Sequence, residues 1–167
     1  MNYAINDKVI HAAHGSGQIS AIKDTEIVEG FKRYYVINYP DQLMTVYIPV
    51  GKMEELGFRS VMKKSKQAKV LEALRTKPKQ LSSDYKVRQA GIREMLKTNR
   101  PVQIAHALRD LTWYEQNKSL TMGDQKLLNQ ARHVLVSEIA AARNMTIPDV
   151  TYLIDTALQA SLKLMAA

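Results

Sequence analysis

Two histidine pairings invite a chemical reading. His11 and His14, three apart, are types a metal would accept, but Ala12, Ala13 and Gly15 surround them and the chain has no cysteine to complete a ligand set. They read instead as a strand end and its turn. His106 and Asp110 are four apart, so they share a helical face on which a metal could be held or a proton polarised; a surface i,i+4 pair is the simpler reading. The chain contains no G-x-x-x-x-G-K-S/T phosphate loop, no G-x-G-x-x-G, no H-E-x-x-H and no G-x-S-x-G. We expect no enzyme, no metal and no cofactor.

Charge carries more information than the histidines. Residues 1–60 hold six Lys/Arg and seven Asp/Glu, whereas 61–167 hold eighteen and nine, so the net charge of +8 belongs to the second part. Within 61–109 thirteen cations, among them Arg88, Lys97 and Arg109, face only three acids. A solvated helix face is the plain explanation, but solubility alone favours mixed signs. A phosphate-contacting surface, where each neutralised phosphate releases counterion, explains the excess better.

The single tryptophan sharpens this. On a helix over 100–117, Ile104, Leu108 and Leu111 fall at roughly 0°, 40° and −20°, at about 100° per residue. Trp113 falls at roughly 180°, on the side of Val102, His106 and Arg109. A neighbouring helix covering that face would bury the indole, as happens to most tryptophans. The functional reading is a wedge or stacking surface for nucleic acid, flanked by Arg109, Lys118 and Lys126.

These residues must be positioned by two different kinds of structure. Five of the seven glycines lie in the first 60 residues, between short β-branched and aromatic runs at Lys8–His11, Gln18–Lys23, Phe31–Tyr39 and Met44–Val50. The last two runs are joined by Pro40-Asp41-Gln42-Leu43, a hairpin-type connection. Four or five such strands suit a small, strongly bent SH3- or Tudor-like barrel. From Ser65 the hydrophobic period becomes that of helices, expected near 65–76, 84–98, 100–117, 122–143 and 147–165. Thr121-Met122-Gly123-Asp124 and Thr146-Ile147-Pro148-Asp149 read as N-terminal capping signatures, and Pro101 suits a first turn. Lys63–Lys66 and Lys77–Gln80 are the expected joints. The predicted architecture is therefore α+β in two domains, 1–60 a β-barrel and 61–167 an all-α domain of about five helices. The first ten residues lack the apolar core of a leader, and no run of about 18 apolar residues follows, so a cytoplasmic, non-membrane protein is expected.

The run Lys8-Val9-Ile10-His11-Ala12-Ala13-His14-Gly15-Ser16-Gly17-Gln18-Ile19 resembles the opening of the CarD/CdnL bacterial transcription regulators, whose N-terminal module is shared with transcription-repair coupling factor. Tyr35-Val36-Ile37, Thr45-Val46-Tyr47-Ile48-Pro49-Val50 and Leu56-Gly57-Phe58-Arg59 continue the resemblance. Leu108-Arg109-Asp110-Leu111, Leu120–Asp124 and Ala131–Ala140, which includes Arg132, carry it through the helical part. It extends in order over nearly the whole chain.

The resemblance implies a Tudor-like barrel that binds the RNA polymerase β subunit and a helical domain that contacts promoter DNA in the minor groove at the upstream edge of the bubble, stabilising the open complex near the nucleoid. It also implies a tryptophan wedge, a role for Trp113; the register varies by one residue among relatives, which leaves Tyr114 a second candidate. The polymerase surface would comprise Met44, Thr45, Val46, Tyr47, Ile48 and Pro49, with Arg33 and Lys52. The DNA surface would comprise Trp113, Tyr114, Arg109, Lys118, Lys126, Arg88, Lys97 and Arg132. Two departures stand out: Ala12 replaces the usual proline, and Tyr47 stands where some members carry a basic polymerase contact. An adaptor whose basic face meets an acidic protein partner is the alternative, and an RNA-binding barrel a weaker one. No membrane partner is expected; the sequence does not fix the oligomeric state, and a monomer is the working expectation.

Overall fold

The short β-branched and aromatic runs of the N-terminal part pair into one antiparallel sheet. In the computed structural model, which describes residues 2–166, the strands are β1 (Lys8–His11), β2 (Gly15–Val28), β3 (Phe31–Tyr39), β4 (Met44–Pro49) and β5 (Phe58–Ser60), in the order β4-β3-β2-β1-β5. The arrangement is that of a Tudor-like domain. Strand β2 is much longer than the expected Gln18–Lys23, and its register against β3 shifts between Ile19 and Ala21 and again between Asp24 and Val28. Such irregularities bend a strand, as a small barrel-like sheet requires. The three-residue β5 pairs with β1 and was not among the expected runs. The Pro40–Gln42 connection is a 3-10 turn that ends in Leu43 with a left-handed φ of 49°.

The sheet encloses Tyr3, Val9, Ile19, Tyr35, Ile37, Tyr39, Met53 and Phe58, against which Met44, Val46 and Ile48 also pack. Period-two alternation on β4 thus turns Met44, Val46 and Ile48 inward and leaves Thr45 and Tyr47 exposed.

The chain divides into two compact units between Val61 and Met62. The second comprises α1 (Lys64–Arg75), α2 (Tyr85–Lys97), α3 (Pro101–Asn117), α4 (Met122–Arg143) and α5 (Ile147–Ala166), each bound within one residue of expectation. The anticipated caps form: Thr121 and Asp124 make a reciprocal capping box on α4, and the Thr146 hydroxyl lies 2.7 Å from the Asp149 carboxylate at the start of α5. Pro101 occupies the first turn of α3.

Helix α3 is the hub, packing against α1, α2, α4 and α5. Ile104, Leu108 and Leu111 are fully buried as the stripe required, but Ala105, Ala107, Arg109, Asp110, Thr112 and Tyr114 are buried too. The one-sided stripe is corrected: a central helix is covered on nearly every side.

Candidate functional site

Strand β4 lies at the end of the sheet order, so its outer backbone edge is unpaired within that sheet. An edge of this kind is a template for a further strand, with alternate side chains supplying specificity. Tyr47 points outward, 41% exposed, with the Lys23 ammonium 5.7 Å from its ring centroid. Arg33 pairs with Asp24 at 3.3 Å and Lys52 with Glu55 at 2.5 Å, so both flanking cations have acidic partners at the surface. Six of the eight residues expected here fall into two kinds. Thr45, Tyr47 and Arg33 present side chains, whereas Met44, Val46 and Ile48 support the strand from the core side.

In the helical unit, two of the six cations expected to contact DNA are corrected outright. Arg88 is 4% exposed; its Nη2 lies 2.6 Å from Asp124 Oδ2, and its Nη1 donates to the Tyr114 hydroxyl and to the Ser82 and Ser83 carbonyls. Arg109 is 3% exposed, held by Asp110 at 2.7 Å and donating to the Ala73 carbonyl and the Thr76 hydroxyl. Neither guanidinium is free for a phosphate. Both lock helices together, and both acids lie outside the strongly basic stretch 61–109, Asp110 directly after it and Asp124 at the start of α4.

The surface pair foreseen for His106 and Asp110 is also corrected, because Asp110 is buried on Arg109 and accepts the Lys79 backbone N–H at 3.0 Å. His11 does end β1, and its ring stacks on His14 with centroids 5.0 Å apart. Burial, with the His14 charge, holds the His11 pKa below its ordinary value. No group of three or more metal-ligating side chains gathers among the described residues.

The aromatic residues separate by exposure. Tyr114 is buried, its ring 4.4 Å from the Arg88 guanidinium and 5.7 Å from the Lys118 ammonium. Its hydroxyl bond and depth remove it as an inserting ring. Trp113 is half-buried and lines a groove with Gln116, Asn117, Gln159, Leu162 and Lys163, so α5 covers part of the face that the stripe left open. Lys97 pairs with Glu94 at the surface, Lys126 is exposed, and Arg132 bonds Asp155 across α4 and α5.

Sequence reasoning passed over Tyr85. It opens α2, is 50% exposed, and is followed by exposed Lys86. Through Tyr114, Lys118 is brought toward the same first turn of α2, where Arg88 sits. An aromatic residue just after the cap Asp84, within the basic stretch, was the available signal.

Two family models match this chain. One, described as "CarD-like/TRCF RID domain", matches residues 3–62, and the other, "CarD, C-terminal domain", matches residues 69–155. The chain belongs to the CarD family. A Bacillus subtilis (strain 168) protein described as "Putative transcription factor YdeB" is 27% identical over 144 residues, spanning 86% of this chain and 94% of the relative. A CarD-family chain has a transcription-related role, and transcription factors of this type are not typically enzymes. The end of α5, which walls the Trp113 groove at Leu162 and Lys163, lies beyond the span matched by the CarD C-terminal model. No helix among the described residues is long and apolar enough to cross a membrane.

Proposed function

We propose that this protein stabilises the open promoter complex, its β-rich unit docking on the RNA polymerase β subunit and its helical unit holding promoter DNA at the upstream edge of the bubble. The carrying observation is the contrast between the units. One is near neutral with an open β4 edge bearing Tyr47, and the other carries the net positive charge together with the exposed Tyr85 and the half-buried Trp113. Main-chain pairing along β4 suits a protein partner. Lysines free of buried acids, such as Lys86, Lys118 and Lys126, suit the phosphate backbone. Such a protein works in the cytoplasm, at the nucleoid.

Inserting a ring into a base step requires a few kcal/mol of unstacking, which is least where DNA is already distorted. Trp113 offers the larger ring. Exposure favours a second assignment, with Tyr85 as the ring that reaches DNA and Trp113 as a partly packed support. The deciding experiment measures open-complex lifetime on a promoter with Trp113→Ala and Tyr85→Ala while monitoring co-purification of polymerase β. A lifetime shortened by either substitution, with polymerase binding intact, supports the function and identifies the ring. Lifetimes unchanged in both would remove the wedge.

A further inference from the structure

Residues 79–82, between α1 and α2, run as a strap along one wall of a half-open cavity of about 510 Å³ whose opposite wall comes from α2 and α3. The strap is pinned at both ends by buried ion pairs. At one end the Lys79 N–H donates to Asp110, which Arg109 neutralises; at the other, the Ser82 carbonyl accepts from Arg88, which Asp124 neutralises. The space beside the strap is therefore held open by rigid groups rather than left by loose packing. Its volume falls within the range of about 300–1,000 Å³ usual for small-molecule sites.

The floor is apolar. Val87, Ile92 and Met95 line it, and Val87 remains 60% exposed although it sits on a helix of a packed bundle. Gly91 lies among them in the interior of α2, where glycine is less favourable than alanine by about 1 kcal/mol. A Cβ there would meet nothing within 4 Å, and its φ is not positive, so no neighbour and no backbone conformation requires the glycine. Its missing side chain leaves the α2 wall of the cavity open at that point.

The polar lining is sparse and has a definite sign. With Arg88 and Asp110 each neutralised by its partner, Lys79 is the lining cation with no ion pair among the described residues. His106 lines the same space beside it. Burial first, then Arg109 and Lys79 against the opposing pull of Asp110, hold the His106 pKa below its ordinary value, leaving a neutral hydrogen-bonding group at pH 7. An apolar floor with one uncompensated cation at its rim selects a ligand with an apolar body and a single negative head.

We propose that the cavity beside the 79–82 strap binds a small amphipathic organic anion, its apolar body on Val87, Gly91, Ile92 and Met95 and its head at Lys79 and His106. An occupant would brace the strap against the helix that carries Tyr85, giving the helical unit a point at which a small molecule acts.

The test titrates the full chain with 8-anilinonaphthalene-1-sulfonate, an apolar ring system bearing one sulfonate, and follows its fluorescence. Saturable binding is expected. Gly91→Leu, which fills the cavity, should weaken it by at least about tenfold, as should Lys79→Gln, which removes the charge-assisted contact and flattens the salt dependence. Circular dichroism checks that Gly91→Leu keeps its helix content; the exposed Lys79→Gln decides alone if it does not. Non-saturable binding, or an affinity unchanged in Lys79→Gln or in folded Gly91→Leu, overturns the proposal.

Discussion

Taking the Arg88 guanidinium and the Asp124 carboxylate out of water carries a penalty of several kcal/mol for each ion, offset only when every remaining donor and lone pair is satisfied. Here both nitrogens facing Asp124 are bonded, and the carboxylate also accepts from the Thr121 N–H and hydroxyl. Arg88→Ala should therefore strand a buried charge and destabilise the protein by roughly 3–5 kcal/mol, measured by urea unfolding. Burial alone would raise the Asp124 pKa, but the Arg88 and Thr121 hydrogen bonds outweigh it and hold the group at about 2, below its ordinary 3.8. A depressed folded-state pKa stabilises above the unfolded value and loses that contribution as pH falls through the folded one. Stability should thus drop by roughly 2 kcal/mol between pH 4 and pH 2 from this group, and Asp124→Asn should flatten that stretch of a urea-midpoint profile. The Thr121–Asp124 cap was legible because its two halves are three residues apart. Arg88 was misread because its partner lies 36 residues away, and a count of local charge cannot show which cations the fold has already neutralised.

Helix boundaries were legible for the same local reason, and so were three of the four foreseen strands, since caps, glycines and periodicity act within a few residues. What was not legible was which face each element buries. The aliphatic stripe of α3 is real, yet Ala105 and Ala107 are small enough to admit further helices, and Thr112 and Tyr114 bury their polar atoms by bonding the Leu108 carbonyl and Arg88. Small and self-satisfied polar residues do not look apolar in a sequence. The sheet depends on a comparable close approach at Gly17 of β2, where a Cβ would stand 2.7 Å from Ile37 Cγ2 and 2.9 Å from the Tyr39 ring. Both neighbours are fully or almost fully buried. Gly17→Ala should destabilise the β-rich unit by about 1–3 kcal/mol through overpacking, seen as earlier loss of its near-ultraviolet tyrosine signal on heating.

At the scale of the whole molecule, the function proposed above puts two weak grips on one chain, and such grips together behave differently from either alone. DNA binding through lysines that meet only phosphate is expected to be weak, nearly indifferent to sequence and steeply weakened by salt. Attachment to polymerase, as proposed, would turn that second contact into an intramolecular one, raising apparent affinity by about 10²–10⁴ without any new DNA contact. The two grips should therefore fail in distinguishable ways. Tyr47→Asp on the outward side of β4 should damage recruitment, so its effect on open-complex lifetime should be recovered by raising the protein concentration about a hundredfold. If Tyr85 or Trp113 is the inserting ring of the proposed function, Tyr85→Ala or Trp113→Ala should leave recruitment intact and remove the barrier to reannealing, so no concentration of protein should restore the lifetime. Titrating each variant against a fixed promoter complex separates the cases: a rightward shift of the curve marks a lost tether, and a lowered plateau marks a lost wedge. A Tyr47→Asp curve with a lowered plateau and an unchanged midpoint would place the β4 edge outside the tether and count against the division of labour between the units.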